Sequence, residues 1–157
     1  MITKLLHTRM RVNNLEETIR FYRDLLGLEV IERHRSPRGS ELAFLRVPNS
    51  PHDSEEIELC SFPSSGAVQV PEDLVHLAFE VDDLDRTMAE LKAKGVPVTD
   101  GPTTTSSGNR FCFIDAPDKY EIELIERSRS IGGARVAGIS CGGPCGVEER
   151  PPMPPLP

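Results

Sequence analysis

The sequence predicts an α+β domain made of paired βαβββ modules. Three observations predict it. Residues 1–127 contain an internal repeat, each copy opens with an alternating segment followed by one amphipathic helical segment, and each closes on Ile-Glu-Leu. Leu6-His7 matches Val75-His76, and Val12-Asn13-Asn14-Leu15 matches Val81-Asp82-Asp83-Leu84, at a constant offset of 69 positions. The two Ile-Glu-Leu tripeptides, 57–59 and 122–124, are 65 apart, so the second copy is four residues shorter between these marks. The modules cover about 3–63 and 72–127 of one domain, 1–127.

Each element follows from local pattern. Leu5–Val12 and Leu74–Val81 alternate as strands do. Asn14 and Asp83 read as N-caps, followed by acidic first turns at Glu16-Glu17 and Asp85. Leu15, Ile19, Tyr22 and Leu26 recur at helical spacing, as do Leu84, Met88 and Leu91, and Gly27 and Gly95 stop the two helices. Three strands then follow in each copy: Glu29–Arg33, Leu42–Val47 and Glu56–Phe62, then Val96–Thr99, Arg110–Asp115 and Glu121–Glu126. Thr103–Arg110 reads as a hydroxyl-rich loop, and Ala116-Pro117-Asp118-Lys119 as a tight turn.

Composition narrows the function. In 157 residues, 18 basic and 25 acidic side chains give a formal net charge of -7, and aromatic content is 5%. An acidic, aromatic-poor chain does not track phosphates, so no nucleic-acid partner is expected. No apolar run approaches the roughly 18 residues of a membrane span, and no leader-like segment opens the chain, so a cytoplasmic protein without a membrane partner is expected. Cys60, Cys112, Cys141 and Cys145 are too unevenly placed for a disulfide framework. Residues 128–157 carry six Gly and six Pro and read as a flexible tail.

Strand parity then sorts the chemistry by face. Leu6, Met10 and Val12 should meet the helix, leaving His7, Arg9 and Arg11 opposite. Val75, Leu77, Phe79 and Val81 should form the core face of the matching strand, leaving His76 and Glu80 opposite. Ile57, Leu59, Ile122 and Leu124 point inward, so Glu56, Glu58, Cys60, Glu121 and Glu123 point away. A lone strand histidine is more often a surface group than a ligand, and such glutamates are usually the wet side of a sheet. Repetition changes the reading: His7 with Glu58 and His76 with Glu123, brought together by a pseudo-twofold axis, make a donor set for Ni, Co, Zn or Fe. His34 and His52 lack this symmetry and read as loop or surface residues.

Residues 3–127 resemble the vicinal oxygen chelate superfamily, and within it glyoxalase I (lactoylglutathione lyase). The resemblance rests on His7-Thr8-Arg9-Met10-Arg11-Val12, Phe21-Tyr22-Arg23-Asp24-Leu25-Leu26-Gly27, Ile57-Glu58-Leu59, Val75-His76-Leu77-Ala78-Phe79-Glu80-Val81 and Asp118-Lys119-Tyr120-Glu121-Ile122-Glu123-Leu124. It implies the glyoxalase/bleomycin resistance/dioxygenase fold, a homodimer with sites at the subunit interface, and the metal ligands His7, Glu58, His76 and Glu123. Family members with His at the first ligand position tend to use nickel or cobalt, so His7 favours these over zinc. It implies a small-molecule substrate, the adduct of a 2-oxoaldehyde and a thiol such as glutathione. Glu123 or Glu58 would then move the proton, and Arg11 would hold a substrate carboxylate. Phe62 and Glu72 depart from positions where glutathione-using members often carry Asn and Arg. The alternatives are another metal-dependent member, such as methylmalonyl-CoA epimerase or a thiol-transferring resistance enzyme, and a metal-free drug-binding protein of the bleomycin-resistance type. The four-ligand set favours the isomerase.

Overall fold

A computed structural model of the chain describes residues 1–51 and 54–128; the tail from 129 onward and His52 lie outside the described residues. Strand β1 (His7–Arg11) leads into helix α1 (Leu15–Arg20), and β2 (Glu29–Arg35), β3 (Glu41–Arg46) and β4 (Glu56–Ser61) follow. The second module repeats the order with β5 (His76–Glu80), α2 (Leu84–Ala93), β6 (Val98–Thr104), β7 (Arg110–Asp115) and β8 (Glu121–Glu126). Each module forms its own four-stranded sheet, in the orders β1-β4-β3-β2 and β5-β8-β7-β6. In both sheets the first strand runs parallel to the last at one edge, and the other pairs are antiparallel. The four-residue difference between the copies lies in one connection, 47–55 between β3 and β4 against 116–120 between β7 and β8.

Both helices start where their caps require. The Asn14 side chain accepts from the Glu17 amide, and Asp83 accepts from the Arg86 amide, satisfying donors that a helix leaves open at its first turn. Their apolar stripes and the inward faces of both sheets meet in one core, which joins Met10, Val12, Leu45 and Leu59 to Leu84, Ile114, Ile122 and Leu124. Polar ties also link the modules. The Asn13 amide and side-chain nitrogen donate to Asp118 at 2.9 and 2.6 Å, and the Tyr120 hydroxyl donates to the Arg11 carbonyl at 2.9 Å.

Local irregularity accounts for the departures from the expected elements. Helix α1 widens into a π-helical turn at Phe21–Leu25, which buries the adjacent Phe21 and Tyr22 and leaves Leu26 only half-buried. Leu6 and Val75 are exposed rather than inward, because β1 and β5 begin one residue later, at the histidines. Strand β6 continues to Thr104, past the expected end at Thr99, so the hydroxyl-rich loop starts only at Thr105. Pro102 is tolerated there because β6 is an edge strand. Gly101, at φ +91, is also required by space: a Cβ would sit 2.9 Å from the Phe111 carbonyl oxygen.

Burial also sets thiol chemistry. Cys112 is fully buried, and desolvation pushes its thiol pKa up. In the native protein, Cys112 is expected to stay unmodified by a thiol-reactive probe that labels it fully in denaturant, as read by peptide mass spectrometry. Rapid native labelling at this residue would contradict the packing of β7.

Candidate metal centre

The register of the edge strands builds the site. In the parallel pair β1–β4, Arg9 stands opposite Glu58, and in β5–β8, Ala78 stands opposite Glu123. His7 Nε2 approaches Glu58 Oε2 at 3.0 Å, and His76 Nε2 approaches Glu123 Oε2 at 3.4 Å. Each carboxylate faces a phenyl ring on the next strand: Phe44 is the partner of Glu58, and Phe113 of Glu123. The rings meet the imidazoles edge-on, His7 and Phe44 at 5.6 Å and 82°, His76 and Phe113 at 5.7 Å and 86°. Sequence reasoning missed both phenylalanines, although they share the 69-position offset of the histidines. An apolar residue on a strand carries no local signal that separates the wall of a site from the core.

The two carboxylates differ in surroundings. The Glu58 side chain is 1% exposed, and the Arg9 Nε and Nη2 reach its Oε1 at 2.9 and 2.6 Å. This pairing raises the Arg9 guanidinium above its ordinary pKa, with the Glu58 hydrogen bond as the main cause. The Glu123 side chain is 19% exposed and has no arginine opposite it. His76 opens onto a cavity of about 790 Å³ that Glu72, Asp115, Lys119 and Glu121 also line. A smaller cleft of about 340 Å³, on the helix face of β5 beside Leu25 and Leu91, carries no histidine or cysteine.

His34 is exposed, as the reading of a loop or surface residue expects, and the strand runs past its expected end at Arg33 to include it. It lies in β2 and stacks on Phe44 at 5.8 Å and 22°, with Nδ1 3.2 Å from Glu32 Oε1. A register shift between Val30 and Glu32 sets the face it shares. Simple alternation groups Glu32 and His34 with Val30 on the core face, and the extra residue turns them over to the face of His7. Arg11 is on the expected face. Its Nη2 donates to the carbonyls of Phe62 at 3.1 Å and Gly66 at 3.4 Å, and its Nε is buried without a hydrogen-bond partner.

One chain brings the four candidate ligands together as two pairs rather than one quartet. Among the described residues, no group of three or more His, Cys, Asp or Glu side chains is close enough to hold an ion. Each pair joins an imidazole nitrogen to a carboxylate oxygen, the donors that borderline divalent cations take, so the chemistry of each pair fits half of a four-donor site.

Two βαβββ modules, each with a His-Glu pair on its helix-free face, define a vicinal oxygen chelate protein. The chain belongs to the Glyoxalase/Bleomycin resistance protein/Dioxygenase superfamily, whose family model matches residues 4–124. It is 31% identical over 132 residues to the lactoylglutathione lyase of Haemophilus influenzae, covering 83% of this chain and 97% of that one. Among solved structures, it resembles a trypanothione-dependent glyoxalase I from Leishmania major, with a TM-score of 0.67, 29% identity, and coverage of 80% of this chain and 87% of that one. It also resembles TnmS3, an antibiotic-binding protein from Streptomyces sp. CB03234, with a TM-score of 0.65, 25% identity, and coverage of 81% and 98%. The lactoylglutathione lyase and the glyoxalase I among these relatives support a glyoxalase I-like function.

Proposed function

We propose that the protein is a divalent-metal-dependent isomerase of the glyoxalase I type. It converts the hemithioacetal of methylglyoxal and a small thiol to the S-lactoyl thioester. The observation that carries this reading is the repeated constellation of His7, Glu58 and Phe44 with His76, Glu123 and Phe113. A homodimer completes the donor set. β1 and β5 are edge strands that carry the histidines, and the apolar pairs Leu5-Leu6 and Leu74-Val75 just before them are exposed. A second copy that pairs β1 with β5 covers both and joins one half-site to the other.

His7, Glu58, His76 and Glu123 hold the cation, and an imidazole at the first position favours nickel or cobalt. Bound there, the cation supplies Lewis-acid polarisation of the substrate oxygens. The chain's own residues do the rest. Glu123, more open and free of an arginine, takes the proton from C1 of the hemithioacetal and returns it to C2. Phe44 and Phe113 keep water from the carboxylates. Arg11 anchors the segment after β4, and its guanidinium meets a carboxylate of the substrate.

The test is metal analysis of the purified protein, followed by thioester formation from methylglyoxal and glutathione with Ni²⁺, Co²⁺ or Zn²⁺ added. Activity is expected with Ni²⁺ or Co²⁺ and is lost on chelation. Bound metal without thioester formation rejects the glyoxalase reaction. The likeness to TnmS3 favours one second reading, a small-molecule binder, which predicts a chain that takes up no metal at all.

A further inference from the structure

The two half-sites share their His, Glu and Phe positions but not every neighbour. At the residue opposite each glutamate, module one has Arg9 and module two has Ala78, an exposed residue that leaves the space open. We propose that Arg9 is a built-in counter-ion for Glu58 that competes with the divalent cation for that carboxylate. It is a positioning residue confined to one half of the site. The inference rests on the reading of this face as a metal centre, and it concerns the terms on which the chain admits the metal.

A carboxylate as enclosed as Glu58 needs a positive partner. With no metal bound, Arg9 provides it through two contacts to Oε1, while Oε2 is turned to His7 Nε2. Arg9 itself is 56% exposed, so its long side chain can withdraw into water without exposing core. When a cation approaches Oε2, the guanidinium becomes a like charge sharing the same carboxylate, and binding is opposed until Arg9 moves. Glu123 carries no such guard. The apo protein therefore keeps a paired, ordered Glu58, and the chain selects for cations that bind strongly enough to displace Arg9.

The test compares Arg9→Ala, Arg9→Lys and Ala78→Arg with the unmodified full-length chain, measuring Ni²⁺ affinity by titration and melting temperature with and without Ni²⁺. Arg9→Ala is expected to bind Ni²⁺ about tenfold more tightly, a solvent-screened fraction of the like-charge repulsion it removes. Its metal-free form should melt about 3 °C lower, and saturating Ni²⁺ should erase that difference. Arg9→Lys, which keeps a positive charge, should stay within about threefold of the unmodified affinity. Ala78→Arg, which places the same cation beside Glu123, should weaken Ni²⁺ binding about tenfold. It gives an answer even if Arg9→Ala does not fold.

Unchanged or weaker Ni²⁺ binding by Arg9→Ala overturns the competition and makes Arg9 a support for the ligand. Unchanged binding by Ala78→Arg overturns it too. An unmodified protein that binds no Ni²⁺, Co²⁺ or Zn²⁺ sinks the metal-centre reading itself. The metal-free melting temperatures then still test Arg9 as the counter-ion of Glu58, and equal values reject it.

Discussion

Glu123→Gln is expected to lower turnover of the methylglyoxal–thiol adduct by about a thousandfold while leaving the melting temperature within a degree or two of the unmodified chain. An amide cannot accept the C1 proton, and general-base removal typically costs 10²- to 10⁴-fold. The fold should tolerate the change because Glu123 is only partly enclosed, with no arginine left unpaired by its loss. Because the change removes a group that acts in the transition state, kcat should fall much more than KM rises. Glu58→Gln is the contrast. It strips the counter-charge from Arg9 inside a closed site, so metal affinity and melting temperature should fall along with activity. Steady-state kinetics on metal-saturated protein, with thermal melts, separates the two. A Glu123→Gln variant that keeps more than a tenth of the turnover would assign the proton to another group.

Leu45→Ala and Ile114→Ala are each expected to cost about 3 kcal/mol of stability, within the range measured for large-to-small core changes. Leu45 and Ile114 occupy matching places on the third strand of each module, and both are 0% exposed in the shared core. Each truncation leaves a void between a sheet and its helix layer that close-packed neighbours cannot fill. Because one core serves both modules, the two variants should each show a single urea transition shifted to lower midpoint with an unchanged slope. A variant that unfolds in two steps would mean that the modules hold separate cores.

His7, Glu58, His76 and Glu123 were readable as one face because side-chain alternation is local and because the chain states its plan twice. A lone His in β1 would have been uninformative; the second copy at a constant offset made it a pattern. Local pattern carried no signal where a single residue disturbs the period. The irregularity beside Ile31 turned His34 over to the face of His7, and the π-helical turn buried Phe21 next to Tyr22. Phe44 and Phe113 were missed for a different reason: apolar side chains on a strand look alike whether they fill the core or wall a site. Arg9 was assigned to the right face, but its partner depends on how β1 slides against β4.

The amino-acid order by itself determined the two-module plan, the helix starts at Asn14 and Asp83, and the face on which His7, Glu58, His76 and Glu123 lie, since backbone periodicity and capping act over a few residues. Only the tertiary structure decided that Glu58 is closed off and held by Arg9 while Glu123 stays open, and that one chain holds two separate His-Glu pairs. Those outcomes depend on strand register across a sequence separation of 49 residues, where packing against distant neighbours sets the distances.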